Sequence, residues 1–274
     1  MIYRTIKNTR IPALGFGTFG LNGAEGLAAI ECALETGYRH IDAAIRYGNE
    51  AEVGQAIASS RVPREEIFLT TKIWYGDLTP QVIFDSTRES LDRLKTDFVD
   101  LLLIHWPSPD MDLGRVLDAL AELQSEGLAR NIGVANFPTA LMRACVEDHG
   151  ADLLTNQVEY HPFLNQSAVY DLCRRYGMLL TAYLPLARGA VMDDPVLQEI
   201  AESHGKSAAQ VTLRWLLQQA DVAAIPRSSK PEHIRSNFDV FDFALSEEEM
   251  ARIGALRGGG RIVNVEWAPE WDPA

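Results

Sequence analysis

Short apolar runs alternate with helical segments along most of this 274-residue chain, and the alternation restricts the fold more than any other feature. Their apolar character is nearly continuous, which is typical of parallel strands buried on both faces. The predicted strands are Leu14–Gly17, Tyr38–Asp42, Ile67–Lys72, Phe98–Ile104, Ala129–Val134, Leu154–Glu159, Met178–Leu184 and Val222–Ile225. Eight such strands fit a closed barrel, whereas a doubly wound open sheet more often has about six.

Each predicted strand is followed by a segment with helical periodicity. Thr79 before Pro80 predicts an N-cap with proline in the first turn, and Gly37, Gly127 and Gly177 stand where helices should end. The predicted helices are Glu25–Thr36, Glu50–Ser59, Pro80–Leu94, Leu113–Glu126, Thr139–Asp148, Gln166–Tyr176, Pro195–Gln219 and Pro231–Asn237.

Three pieces lie outside the alternation. Ile2–Ile11 predicts a hairpin that covers the amino-terminal end of the barrel, and Ser246–Ala255, with a serine cap and an acidic first turn, predicts an extra helix. The tail after Gly260 is loop-like and should cross the opposite mouth. We therefore predict one domain over residues 1–274, a (β/α)8 TIM barrel with an N-terminal β-hairpin cap and an extra C-terminal helix and tail.

The charge and apolar pattern exclude several classes of partner. A net charge of −13 without a long basic run argues against nucleic acid and anionic membranes as partners. No stretch approaches the roughly 20 apolar residues of a membrane span, and Met1–Ile11 lacks the apolar run of a signal peptide.

Cysteine and histidine usage suggests neither disulfides nor a metal site. Cys32, Cys145 and Cys173 form no CxxC pair and fall in predicted helices, so we expect buried thiols and a reducing, cytoplasmic location. The histidines show no ligand spacing, so we expect no metal.

One glycine motif is discounted. Residues 15–20 match GxGxxG, the dinucleotide fingerprint, but that motif needs its third glycine at the start of a helix. Here Leu21, Asn22 and Gly23 form a turn sequence instead. We expect these glycines to let the first strand approach a bound ligand.

Four polar side chains stand at or just after the ends of consecutive predicted strands: Asp42, Tyr47, Lys72 and His105. Strand ends in a parallel barrel converge on one mouth, so we expect these groups to meet. Lys72 should pair with Asp42 and lower the pKa of the Tyr47 phenol from ~10, which would make it a general acid. His105 could then orient a carbonyl oxygen. Singly, these residues could be a structural ion pair and a structural histidine; together they indicate a catalytic group.

The same residues lie within an ordered set of motifs, namely residues 37–42, 47–50, 71–72, 103–107, 131–137, 156–162 and 224–228. The chain resembles the aldo-keto reductases over almost its whole length, and specifically the bacterial 2,5-diketogluconate and methylglyoxal reductase branch. The resemblance implies a (β/α)8 barrel, a nicotinamide cofactor and no metal, and it matches Asp42, Tyr47, Lys72 and His105 to the catalytic tetrad.

The resemblance also implies how the nicotinamide end of the cofactor is held. Asn136 and Gln157 should hold the carboxamide, and Tyr183 should stack beneath the nicotinamide ring unless it is ordinary barrel packing. Gly17, Thr18 and Asn237 match further cofactor-binding positions.

The loop after the last strand predicts an anion site. Arg227, Ser228 and Lys230 precede a helix that begins near Pro231, and they suit the 2′-phosphate of NADP unless they form a merely solvated cap. His233 stands where the family more commonly has an arginine at that phosphate. We therefore expect NADP(H) as the preferred cofactor and NAD(H) as an alternative.

By the same resemblance, Phe19, Ile45, Trp74 and Trp106 should line the substrate pocket, where aromatic side chains exclude water. We expect a monomer that reduces small aldehydes, α-dicarbonyls or keto sugars with NAD(P)H. One alternative is a cofactor-binding regulatory subunit with little turnover, like the potassium-channel β subunits. A sugar-processing barrel is a weaker alternative, with Asp42 and Glu159 as its carboxylates.

Overall fold

The computed structural model describes residues 1–273, and its first element is the predicted hairpin. Strands β1 (Tyr3–Ile6) and β2 (Thr9–Pro12) pair antiparallel. Lys7 and Asn8 form the two-residue turn with φ of 46° and 67°, the left-handed conformation that tight hairpins require. Ile6 and Ile11 are buried against inward-facing strand residues such as Phe68. The hairpin therefore covers the amino-terminal end of the sheet, as predicted.

Eight further strands form one sheet in which neighbours along the chain are neighbours in space, all parallel. The sheet closes on itself, because Leu14 bridges Ala224 in parallel and the amide of Ala224 donates to the carbonyl of Ala13 at 2.8 Å. This confirms the predicted barrel. The strands are β3 (Phe16–Gly17), β4 (His40–Asp42), β5 (Phe68–Ile73), β6 (Leu101–Ile104), β7 (Ile132–Ala135), β8 (Thr155–Glu159), β9 (Leu179–Tyr183) and β10 (Val222–Ala224).

Helices follow the strands and cover the outside of the barrel. They are α1 (Gly23–Thr36), α2 (Glu50–Ser59), α3 (Pro80–Leu94), α4 (Leu113–Ser125), α5 (Thr139–Arg143), α6 (Ser167–Arg175), α7 (Pro195–His204), α8 (Ala208–Gln218), α9 (Pro231–Phe238) and α10 (Glu247–Gly254). Short 3₁₀ turns span Ile45–Tyr47, Arg64–Glu66 and Ala187–Asp193. The predicted extra helix is α10, which begins with a capping box between Ser246 and Glu249.

Two predicted helices differ from the structure. The segment predicted as one helix over Pro195–Gln219 is two, because Gly205 ends α7 in a left-handed conformation with φ of 62°. Ser207 then starts α8 with a capping box. The helix predicted over Thr139–Asp148 is α-helical only to Arg143 and continues as a π-helical turn.

The core lies between the outer face of the barrel and the helices. Cys32, Cys145 and Cys173 belong to it as buried free thiols, as predicted. Burial raises the pKa of Cys145 and of Cys173 to about 12, so both remain protonated. Within residues 1–273, no helix combines the length and the apolar character that crossing a membrane would require.

Candidate active site

Lys72 contacts two of the other three predicted strand-end residues, Asp42 and Tyr47. Its side chain is fully buried on β5, and its ammonium lies 2.6 Å from Oδ1 of Asp42, the last residue of β4. The same ammonium donates to the Tyr47 hydroxyl at 3.2 Å and to the carbonyl oxygen of Ala43 at 2.8 Å. A buried ammonium with three acceptors has its hydrogen-bonding capacity satisfied. The predicted convergence of Asp42, Lys72 and Tyr47 is therefore observed.

The carboxylate and the backbone carbonyl of Asp42 both accept further hydrogen bonds. Its second carboxylate oxygen accepts from the amide nitrogen of Gln157 at 2.7 Å, across the barrel from β8. The hydroxyl of Thr18, itself fully buried, donates to the backbone oxygen of Asp42 at 2.9 Å. These contacts fix the carboxylate, and through it the position of the lysine.

The prediction that Lys72 lowers the pKa of Tyr47 is wrong for the protein alone. Burial, and secondarily the negative charge of Asp42, raises the pKa of the Tyr47 phenol well above its ordinary value. Burial also lowers the pKa of Lys72, and Asp42 opposes that effect. Tyr47 is therefore protonated at neutral pH and carries a proton that it can donate.

His105, directly after β6, completes the group beside Tyr47. The ring centroids of these two residues are 5.6 Å apart, and the indole of Trp74 packs edge-on against the imidazole at 5.1 Å. Burial, with smaller effects from Lys72 and Arg46, holds the pKa of His105 well below its ordinary value. Its Nδ1 is buried and has no partner among residues 1–273. The imidazole is therefore neutral, with one donor to offer.

A second network continues across the mouth from His105. The Asn136 amide nitrogen donates to the His105 carbonyl oxygen at 3.0 Å, and the Tyr183 hydroxyl donates to the Asn136 amide oxygen at 2.8 Å. Tyr183 ends β9 and is half-buried. The aromatic ring is thus anchored through its hydroxyl, and its faces are positioned by the barrel.

Glu50 was not singled out from the sequence, although it opens α2 directly behind the tetrad. Its buried carboxylate accepts from the Thr71 hydroxyl at 2.5 Å, from Ser90 at 3.2 Å and from the Arg93 guanidinium at 2.8 Å. Its negative charge also opposes the fall in the Lys72 pKa. The signal in the sequence was an acidic residue in the first helical turn after the site.

The four predicted pocket residues differ in their exposure and in their contacts. Phe19 is 66% exposed and packs edge-on against Tyr47 at 5.2 Å. Ile45 and Trp74 are half-buried, whereas Trp106 is buried and meets Trp271 of the tail edge-on at 6.0 Å.

The C-terminal tail crosses the mouth, as predicted. Both oxygens of the buried Glu159 carboxylate, at the end of β8, accept backbone amides of the tail at 2.7 Å, one from Ile262 and one from Val263. Trp267 stacks on Tyr75 at 5.9 Å and meets Trp74 edge-on at 6.0 Å. These contacts were not predicted, although two tryptophans in a polar tail are a visible signal in the sequence.

The predicted anion site lies where the loop after β10 meets β3. Arg227 is exposed, and its guanidinium donates to the carbonyl oxygens of Phe19 at 3.0 Å and Gly20 at 3.3 Å. A Cβ added to Gly17 would lie 2.9 Å from the carbonyl oxygen of Ile225, so the close approach of the two loops requires glycine.

The helix that follows offers an open N-terminus. The Ser228 hydroxyl accepts from the amide of Lys230, but no side chain caps the first turn of α9. Lys230 and His233 are exposed around this turn, and Asn237 is buried further along it. Free backbone amides beside the ammonium of Lys230 are the arrangement that binds anions at helix N-termini. Within residues 1–273, no cluster of three metal-ligating side chains is found.

Comparison with known proteins agrees with this arrangement. The model of the aldo/keto reductase family matches residues 13–257. The methylglyoxal reductase DkgB of Escherichia coli O157:H7 is 42% identical over 266 residues, which cover 96% of this chain and 99% of the relative. An aldo-keto reductase of Mycolicibacterium smegmatis is 42% identical over 253 residues, 92% of each chain.

Two solved structures share the whole fold. One, described as a candidate 2,5-diketo-D-gluconic acid reductase B, superposes with a TM-score of 0.96 and 48% identity over 99% of this chain and 97% of its own. MGS-M4, an aldo-keto reductase from a deep-sea metagenome library of the Medee basin, gives a TM-score of 0.93 and 36% identity over 97% of this chain and 99% of its own. The chain belongs to the aldo-keto reductase family.

Proposed function

We propose that this protein reduces small aldehydes, α-dicarbonyls or keto sugars to alcohols with NAD(P)H. The observation that supports this most directly is the Lys72 ammonium, 3.2 Å from the hydroxyl of a protonated Tyr47 and neutralised by Asp42 on its other side. The names of the relatives, methylglyoxal reductase and diketogluconic acid reductase, are in agreement with such substrates.

The residues around the mouth fit a nicotinamide dinucleotide. Asn136 and Gln157 present amides beside His105 and Asp42, and the anchored ring of Tyr183 offers a flat apolar surface. The open N-terminus of α9, with Lys230, suits a phosphate. When bound there, the nicotinamide supplies the hydride that reduces the carbonyl carbon.

Tyr47 donates the proton in this proposal. Its hydroxyl binds the carbonyl oxygen, and as negative charge develops on that oxygen the phenol transfers its proton. The charge left on the Tyr47 oxygen is then stabilised by Lys72, whose own charge Asp42 keeps in place. Neutral His105 donates a second hydrogen bond to the same substrate oxygen. The raised pKa of Tyr47 thus keeps the proton on the phenol until it is needed.

The test of the proposed function is a side-by-side assay of NADPH and NADH oxidation. Methylglyoxal, benzaldehyde and 2,5-diketogluconate are offered as substrates, and absorbance at the nicotinamide band is followed. We expect turnover with NADPH on at least one of them and slower turnover with NADH. Cofactor binding without turnover on any of the three would contradict the proposal and favour a regulatory role.

Cofactor preference should depend on His233. This residue is exposed near the first turn of α9, and its imidazole lacks the fork of N–H donors with which a guanidinium binds a phosphate. His233→Arg should raise the ratio of kcat/KM for NADPH to that for NADH by about tenfold, because arginine makes charge-assisted bonds to phosphate.

The matched control is His149→Arg, which adds the same charge at an exposed histidine outside this loop. An equal rise in the ratio for both variants would show that net charge, not a local phosphate contact, sets the preference.

A further inference from the structure

Arg46 is the one residue of the turn before Tyr47 that the proposed chemistry does not use. It lies in the 3₁₀ turn Ile45–Tyr47 and its side chain is exposed. Its guanidinium carbon is 5.1 Å from the centre of the Trp74 ring, and the same indole is 5.1 Å from the imidazole of His105. The indole of Trp74 therefore lies between the guanidinium of Arg46 and the imidazole of His105, which is proposed to bind the substrate oxygen.

No carboxylate neutralises this arginine. Arg64 and Arg93 lie 2.9 and 2.8 Å from acidic side chains, whereas among residues 1–273 no acidic side chain forms an ion pair with Arg46. An unpaired cation at the mouth is notable in a chain of net charge −13, which as a whole repels anions. The positive charge of Arg46 acts on the site, because it contributes to lowering the pKa of His105.

We propose that Arg46 binds the carboxylate of anionic carbonyl substrates and so selects keto acids and aldehydo acids over neutral carbonyl compounds. The inference rests on the proposed function and narrows its substrate class. Two other cations near the mouth, Lys72 and Arg227, are already engaged by oxygen atoms of the protein. Lys72 is fully buried against Asp42, and Arg227 is bound to the carbonyl oxygens of Phe19 and Gly20.

Two substrates of similar shape and different charge test the proposal, namely 4-formylbenzoate and its methyl ester. The readout is the ratio of kcat/KM for the acid to kcat/KM for the ester. Arg46→Gln should lower this ratio by about tenfold or more, mainly through KM for the acid, because a charge-assisted contact is lost. Added salt should lower the ratio in the unmodified protein and less so in the variant.

Arg174→Gln is the matched control. Arg174 lies 4.0 Å from Asp221, just before β10 begins, and so at the opposite end of the barrel from the mouth. The acid-to-ester ratio of kcat/KM in Arg174→Gln should equal that of the unmodified protein. Arg261 is a second comparison, because it packs on Trp271 in the tail, 3.6 Å from the ring centre.

Each other outcome overturns the proposal in a different way. Unchanged kcat/KM for both compounds in Arg46→Gln shows that the arginine does not contact the substrate carboxylate. A fall in Arg261→Gln instead places the carboxylate on the tail. Equal losses on acid and ester show that Arg46 supports Tyr47 rather than the substrate. If the unmodified protein reduces neither compound, nor any of methylglyoxal, benzaldehyde and 2,5-diketogluconate, the proposed function itself fails.

Discussion

Replacing Tyr47 with phenylalanine should lower kcat for carbonyl reduction by about 10²–10⁴-fold, the contribution expected of a positioned general acid. The ring would remain to pack against Phe19 and His105, and only the hydroxyl beside Lys72 would be lost. Stopped-flow or steady-state oxidation of NADPH measures kcat. A titration of tryptophan fluorescence with NADPH measures cofactor affinity, which should change little.

Tyr75→Phe provides the control for this experiment. Tyr75 stacks on Trp267 at the same mouth, and the substitution removes a hydroxyl while leaving that ring in place. Turnover by the control should stay close to that of the unmodified protein. Should Tyr47→Phe retain full turnover, another group must protonate the substrate, and the role assigned to the tetrad would be incorrect.

Lys72→Met should be the most damaging single change to the site, because it affects both folding and chemistry. It leaves the Asp42 carboxylate, 1% exposed, without its cation. Breaking a buried ion pair from one side costs about 3–5 kcal/mol of unfolding free energy. It also leaves nothing to stabilise negative charge on Tyr47, so turnover should fall at least as far as in Tyr47→Phe. Urea unfolding followed by circular dichroism measures the first effect, and NADPH oxidation the second.

The double variant Asp42→Leu with Lys72→Met separates the two effects. Removing both charges should recover a large part of the lost stability, since an apolar pair of similar volume is often no worse than a buried ion pair. Turnover should not recover. A double variant that regained activity would show that Lys72 acts only by holding the fold.

The barrel could be predicted because each of its elements is encoded locally. Apolar runs buried on both faces gave all eight strands, and the signals at Thr79 and Gly37 gave correct helix ends. Strand length was less predictable. The strand predicted from Phe98 begins only at Leu101 in the structure. Before it, Val99 makes a single isolated bridge to Ala129. Gly205 is a helix-end signal in the sequence, but the continuous apolar periodicity on both sides of it predicted a single helix.

Most of the site could be located, but its electrostatics could not. The positions of Asp42, Lys72 and His105 follow from strand order alone, because consecutive strand ends must converge. The direction of the Tyr47 pKa depends on how deeply the phenol is buried and on whether Asp42 or Lys72 dominates, which the sequence does not specify. That Arg46 forms no ion pair could not be predicted for a similar reason, because ion pairing depends on which side chains the fold brings together.

The way in which Glu159 holds the tail has an evolutionary consequence. The carboxylate accepts hydrogen bonds from the main-chain amides of Ile262 and Val263 and not from their side chains. Because these contacts use main-chain amides, residues other than proline at the two positions could keep the hydrogen bonds. Substitutions in this tail segment, which crosses the mouth of the barrel, can therefore change the side chains at the mouth while the backbone path of the tail stays constant.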